Sequence, residues 1–229
     1  MREAEQTVHV PSTAGTLEGT LVVPAEPHGA VVFAHGSGSS RFSPRNRFVA
    51  GLLQARGLAT LLVDLLTKRE EAVDERTAHL RFDVDLLAAR LSEATQVIRN
   101  DPRTAHLPIG YFGASTGAAA ALIAAAAAGD EISAVVSRGG RPDLAGDALP
   151  RVTAATLLIV GSRDEVVLEL NQRALAALRA HKDLAVVPGA THLFEEPGAL
   201  EEVARLAGGW FEQHCTAMHR RVPIEEATR

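Results

Sequence analysis

Tyr111-Phe112-Gly113-Ala114-Ser115-Thr116-Gly117-Ala118-Ala119 decides how this chain folds. Its centre, residues 113–117, has the form G-x-S-x-G. The residues before it, 109–112, are continuously apolar and predict a buried strand. Those after it, 116–128, predict a helix that Gly129 punctuates. A serine on a sharp strand-to-helix turn has strained backbone angles. Glycines two residues to either side remove side chains that would collide there. The hydroxyl is thereby lifted above the sheet edge, and the helix behind it aims N–H groups and a partial positive charge at the same place. The small alanines after Ser115 let that helix lie close to the sheet.

Outward from this turn, strands and helices alternate. Strands are predicted at 7–10, 16–23, 29–34, 58–63, 109–112, 132–136, 156–160 and 184–187. From residue 29 onward they are apolar without alternation, as in a parallel sheet covered on both faces. Helices are predicted over 44–57, with Ser43 as cap and Pro44 at the first helical position, and over 78–99, 116–128, 165–180 and 198–214. The fold class is therefore α/β, a mostly parallel central sheet flanked by helices, with no large cap domain. One domain spans 1–229, with its core at about 16–213 and a polar C-terminal tail at about 216–229. Residues 65–77, with their Lys-Arg-Glu-Glu run, read as irregular. They are either a solvated loop or a segment overhanging a site.

Composition narrows the function. The chain has 229 residues, 46% hydrophobic and 22% charged, with a net charge of −5. Disordered, fibrous and disulfide-scaffold classes are excluded, and a broad basic face for nucleic acid is not expected. The single cysteine, Cys215, forms no internal disulfide. The N-terminus is polar and acidic, so no secretory signal is expected. The longest apolar run, 118–128, has 11 residues, and a membrane span needs roughly 20. A cytoplasmic protein without membrane contact follows.

A serine needs a base, and the base needs an orienting acid. Asp164 lies 49 residues after Ser115, where the strand 156–160 runs into a Gly161-Ser162-Arg163 turn. His192 lies 28 residues further, where a strand runs into Pro188-Gly189-Ala190-Thr191. Both fall at carboxyl ends of parallel strands, where open α/β sheets place their sites. Asp143, after the preceding strand, is the alternative acid, and Asp164 could instead be a helix cap. The other histidines lie near strand starts, turns, helix flanks or the C-terminus.

Ala34-His35-Gly36-Ser37-Gly38 follows the strand at 29–34. Its glycines let backbone approach a substrate, and an acyl-transfer site needs N–H donors where the oxyanion forms. Backbone N–H groups of Ser37 and Thr116 are the expected donors, with His35 bracing the loop. The same string partly matches a dinucleotide fingerprint, but Arg41 stands where the third glycine belongs, and Asp64 is the one acid placed for a ribose. No phosphate loop, zinc-protease helix or cysteine cluster is present, so neither cofactor nor metal is implied. Arg138 and Arg141, in Ser-Arg-Gly-Gly-Arg-Pro-Asp, either clamp a substrate anion or pair with local acids.

With elbow, acid and histidine in this order, the chain resembles the α/β-hydrolase superfamily, and most the capless dienelactone hydrolase-like branch. The resemblance covers about 16–213 and is carried by 113–117, 161–164 and 189–192, supported by 35–38. Similar modules, with Ser-Arg-Gly-Gly-Arg and Ala-Thr-His-Leu-Phe-Glu-Glu-Pro strings, also occur joined to a phosphoribosyltransferase domain, which is not among these residues. Dienelactone hydrolases use a cysteine nucleophile where this elbow has Ser115. The resemblance implies a serine hydrolase of carboxylic esters or thioesters, monomeric or homodimeric, with catalytic Ser115, Asp164 and His192. The same residues would serve acyl transfer, perhydrolysis or amide cleavage, and a non-catalytic binding module could keep the same fold.

Overall fold

A computed structural model describes residues 4–215, so the expected polar tail lies outside the described residues. Eight strands form one sheet: β1 (Gln6–Ser12), β2 (Gly15–Val22), β3 (Gly29–Ala34), β4 (Leu58–Val63), β5 (Ile109–Ala114), β6 (Ile132–Arg138), β7 (Ala155–Gly161) and β8 (Lys182–Val187). Their spatial order is β1-β2-β4-β3-β5-β6-β7-β8. The β1–β2 and β2–β4 pairs are antiparallel, and all others are parallel. The sheet is thus mostly parallel and flanked by helices, as the sequence predicts. β3, β4 and β5 are buried along their whole length, which accounts for their lack of alternation.

The described residues form six α-helices: α1 (Pro44–Gln54), α2 (Lys68–Thr77), α3 (Val84–Asn100), α4 (Thr116–Ala128), α5 (Glu165–Ala177) and α6 (Ala199–His214). Leu87, Leu91 and Ile98 of α3 and the alanines of α4 pack on one face with Val32, Tyr111 and Val135. Val49 and Leu53 of α1 and Val203, Ala207 and Phe211 of α6 pack on the other with Phe33, Phe112 and Val136. Alternate residues of β6 therefore belong to opposite layers, which puts Arg138 on the α1/α6 side.

Two predicted boundaries fail for physical reasons. Residues 65–77 are mostly helical rather than irregular. Leu65 is buried, and α2 starts at a reciprocal capping box: Thr67 Oγ1 accepts from the Glu70 N–H, and the Glu70 carboxylate accepts from the Thr67 N–H at 2.8 Å. The predicted helix over 78–99 is broken. Ala78 takes a left-handed conformation (φ 54°), Leu80–Phe82 forms a 3₁₀ turn, and α3 restarts where Asp83 caps the Leu86 N–H at 3.0 Å. No described helix is long and apolar enough to cross a membrane.

Candidate active site

The elbow forms as its residue types require. Ser115 has φ 51° and ψ −122°, a left-handed conformation that costs a side chain roughly 1–3 kcal/mol. A Cβ on Gly117 would lie 2.2 Å from the Ala34 carbonyl oxygen, and one on Gly113 would lie 2.4 Å from Ala118 Cα. Both glycines are therefore obligatory. They let α4 press against the end of β3 and hold the turn closed. The Ser115 N–H donates to the Arg138 carbonyl at 3.3 Å, and the Arg141 N–H donates to the Ser115 carbonyl at 3.0 Å.

Asp164 and His192 meet at the same rim: Asp164 Oδ2 and His192 Nδ1 are 2.6 Å apart. Two backbone bonds join their loops, Ser162 N–H to the Val187 carbonyl at 3.0 Å and Arg163 N–H to the Ala190 carbonyl at 2.9 Å. A Cβ on Gly161 would lie 2.3 Å from the Ala190 oxygen, so the two turns touch backbone to backbone. The histidine loop is closed by Glu196, whose carboxylate accepts the Thr191 N–H at 3.1 Å, and by the buried Phe194 at φ 55°. The end of β6 links the two halves: Arg138 accepts the Ser115 N–H, while the next residue, Gly139, lies against the His192 carbonyl.

Asp143, the alternative acid, is engaged elsewhere, accepting two bonds from Arg141 at 2.8 Å each. Arg141 is therefore locally paired and does not stand free for a substrate. Arg138 has no such partner among the described residues. Arg41 pairs with Asp64 and with Glu18, which takes the acid that a dinucleotide ribose would need. Cys215 is fully buried, and burial pushes its thiol pKa up to about 12.

The loop after β3 lies against the elbow: a Cβ on Gly36 would be 3.0 Å from Ser115 Cβ. His35 does brace it. The Leu65 N–H donates to His35 Nε2 at 3.2 Å, which leaves the proton on Nδ1, directed to the Gly36 carbonyl at 3.0 Å. Burial lowers the pKa of this imidazole, which favours the neutral ring. The Ser37 N–H differs from the expectation of a free donor. It donates to Thr116 Oγ1 at 2.9 Å, so the hydroxyl of the helix's first residue holds the loop. Thr116 itself begins α4, where the first N–H groups lack intrahelical acceptors.

Beside this loop lies a cavity of about 250 Å³, lined by Ser37, Gly38, Asp64, Leu66, Arg81 and Leu87 among others. Glu71 and Asp74 of α2 also line it, so α2 borders a cavity beside the loop after β3. The Thr67-x-x-Glu70 spacing was the signal that could have located α2. Nothing local marked Glu196 or Phe194 as supports of the histidine loop.

Comparison with known proteins identifies the family and the fold. The family model described as "Dienelactone hydrolase family" matches residues 17–216. The crystal structure of a dienelactone hydrolase from Anabaena variabilis is 56% identical, covers 94% of this chain and all of its own, and superposes with a TM-score of 0.91. Est1E of Butyrivibrio proteoclasticus, solved with ferulic acid bound, shares the fold at 17% identity, with 90% of this chain and 98% of its own covered and a TM-score of 0.77. A Mycobacterium tuberculosis protein provisionally named a phosphoribosyl transferase is 59% identical over 210 residues, 92% of this chain but 46% of its own length. This chain thus spans about half the length of the curated relatives it matches. On the match over 17–216 and the near-complete overlap with the Anabaena structure, the chain belongs to the dienelactone hydrolase family.

Proposed function

We propose that this chain is a serine hydrolase of small carboxylic esters or thioesters. Ser115 Oγ attacks the carbonyl carbon, and its proton passes to His192. The imidazole later gives that proton to the leaving alcohol or thiol. Water then repeats the sequence on the acyl-enzyme and frees the acid. Asp164 fixes the tautomer, because its carboxylate accepts a hydrogen bond from the Nδ1–H and leaves Nε2 as the base. Backbone N–H groups of Thr116 and Ser37 receive the oxyanion, with Thr116 Oγ1 holding the Ser37 amide in place until then.

The observation that carries the reading is the 2.6 Å Asp164–His192 bond at the rim that also holds the strained Ser115. The family and the Anabaena relative's name support hydrolysis as the reaction class. The test is p-nitrophenyl acetate turnover by Ser115→Ala. We expect a fall of at least about a thousandfold. Turnover at the wild-type rate would refute the assignment.

A further inference from the structure

Arg138 ends β6 with its side chain on the α1/α6 face and only 7% exposed. Its Nε and Nη1 are buried and meet no hydrogen-bond acceptor, and among the described residues no carboxylate lies within ion-pair reach. Burial and the neighbouring like charge of Arg45 draw its pKa down to about 10, so it is still a cation at neutral pH. Arg45 stands in the first turn of α1. It too has a buried Nε without an acceptor, and its one carboxylate partner among the described residues, Glu195, is 3.2 Å away with a side chain 65% exposed. The ring of Phe194 closes one side, 5.8 Å from the Arg138 guanidinium.

Two guanidiniums and a helix N-terminus thus converge beside the histidine loop, opposed by one peripheral carboxylate. Leaving a buried cation unpaired is costly, and a ligand anion relieves that cost. Two planar forks and the positive end of α1 suit a dianion with three acceptor oxygens better than a single carboxylate. Resting on the hydrolase reading above, we propose that Arg138 and Arg45 form a receptor for the phosphate group of a phosphorylated ester substrate. Arg141, consumed by Asp143, is not part of it.

The experiment has a binding arm and a turnover arm. Inorganic phosphate is titrated calorimetrically into the wild-type chain, with acetate in parallel. Phosphate is expected to bind more tightly than acetate. Arg138→Met and Arg45→Met should each weaken phosphate at least about tenfold, the loss of one charge-assisted bond. Arg141→Ala should leave it within about twofold, as for an exposed pair. Arg138→Lys, which keeps the charge without the fork, covers the case in which the methionine variant fails to fold, and should still bind more weakly than wild type. In turnover, kcat/KM for 1-acetylglycerol 3-phosphate over that for 1-acetylglycerol should fall about tenfold in Arg45→Met. Absence of phosphate binding, acetate binding as tightly, or equal ratios in wild type and variant would each overturn the proposal. Phosphate binding with no hydrolysis of either ester would uphold the receptor and overturn the hydrolase reading instead.

Discussion

At the elbow, backbone meets backbone. Gly117 lies against the Ala34 carbonyl, Gly161 against Ala190, and Gly139 against His192, all with no room for a methyl group at ordinary distance. Across the rim, α2 is held by charge. Arg90, 2% exposed, bonds Glu70, Glu93 and Thr13 at 3.0 Å each, and Arg81 Nε reaches Asp74 at 2.5 Å. Of the residues of α2, only Asp74 is buried. Of these two regions, one is therefore fixed by steric exclusion, which tolerates no added atom. The other is fixed by a few polar contacts, which can be removed one at a time. The difference separates the part that must not move in the proposed reaction from the part that shapes the adjoining cavity.

The sharpest way to break this contrast is Gly117→Ala. Its Cβ would sit 2.2 Å from the Ala34 oxygen, so the elbow must shift. We expect a stability loss of about 3 kcal/mol by urea denaturation and a fall in ester turnover of about a hundredfold. Arg90→Met should have the next largest effect. It strands Glu70 and Glu93, which are still partly solvated, so the loss should be about 2 kcal/mol. Amide exchange should quicken in α2 while α4 stays protected. Equal quickening in both helices would contradict the division. Thr67→Ala removes half of the capping box and should cost about 1 kcal/mol, again with fraying confined to α2.

The smallest effect at neutral pH is that of His35. Its folded pKa lies below the ordinary 6.5, so the unfolded chain takes up the proton first as pH falls. Stability attributable to the neutral ring is complete above pH 6.5 and declines below it. His35→Gln should flatten that acid decline in denaturation midpoints measured from pH 7.5 to 5. An unchanged slope would show that the ring does not carry it.

The same division governs what could be read from the sequence. Buried apolar strands and G-x-S-x-G are local signals, and so β3 to β7, the elbow and the acid and histidine turns were legible. The bond between Asp164 and His192 follows from strand order, which spacing already constrains. α2 is polar on nearly every side and is held by Arg90 from another helix, so no hydrophobic period announces it. Arg138 and Arg141 look alike in the sequence. Only the fold shows that Arg141 pairs with Asp143 while Arg138 meets no acid among the described residues. The Ser37 amide looked free because the side chain that binds it, Thr116 Oγ1, lies 79 residues away.

The central claim is that Ser115 is made nucleophilic by an imidazole brought to it from a distant loop. Labelling of the folded chain with a fluorophosphonate probe, mapped by mass spectrometry, tests it most directly. The adduct is expected on Ser115 alone, with labelling slowed at least about a hundredfold in His192→Gln. A folded wild-type chain that takes up no probe, or one labelled at Ser115 equally fast without the imidazole, would contradict the account.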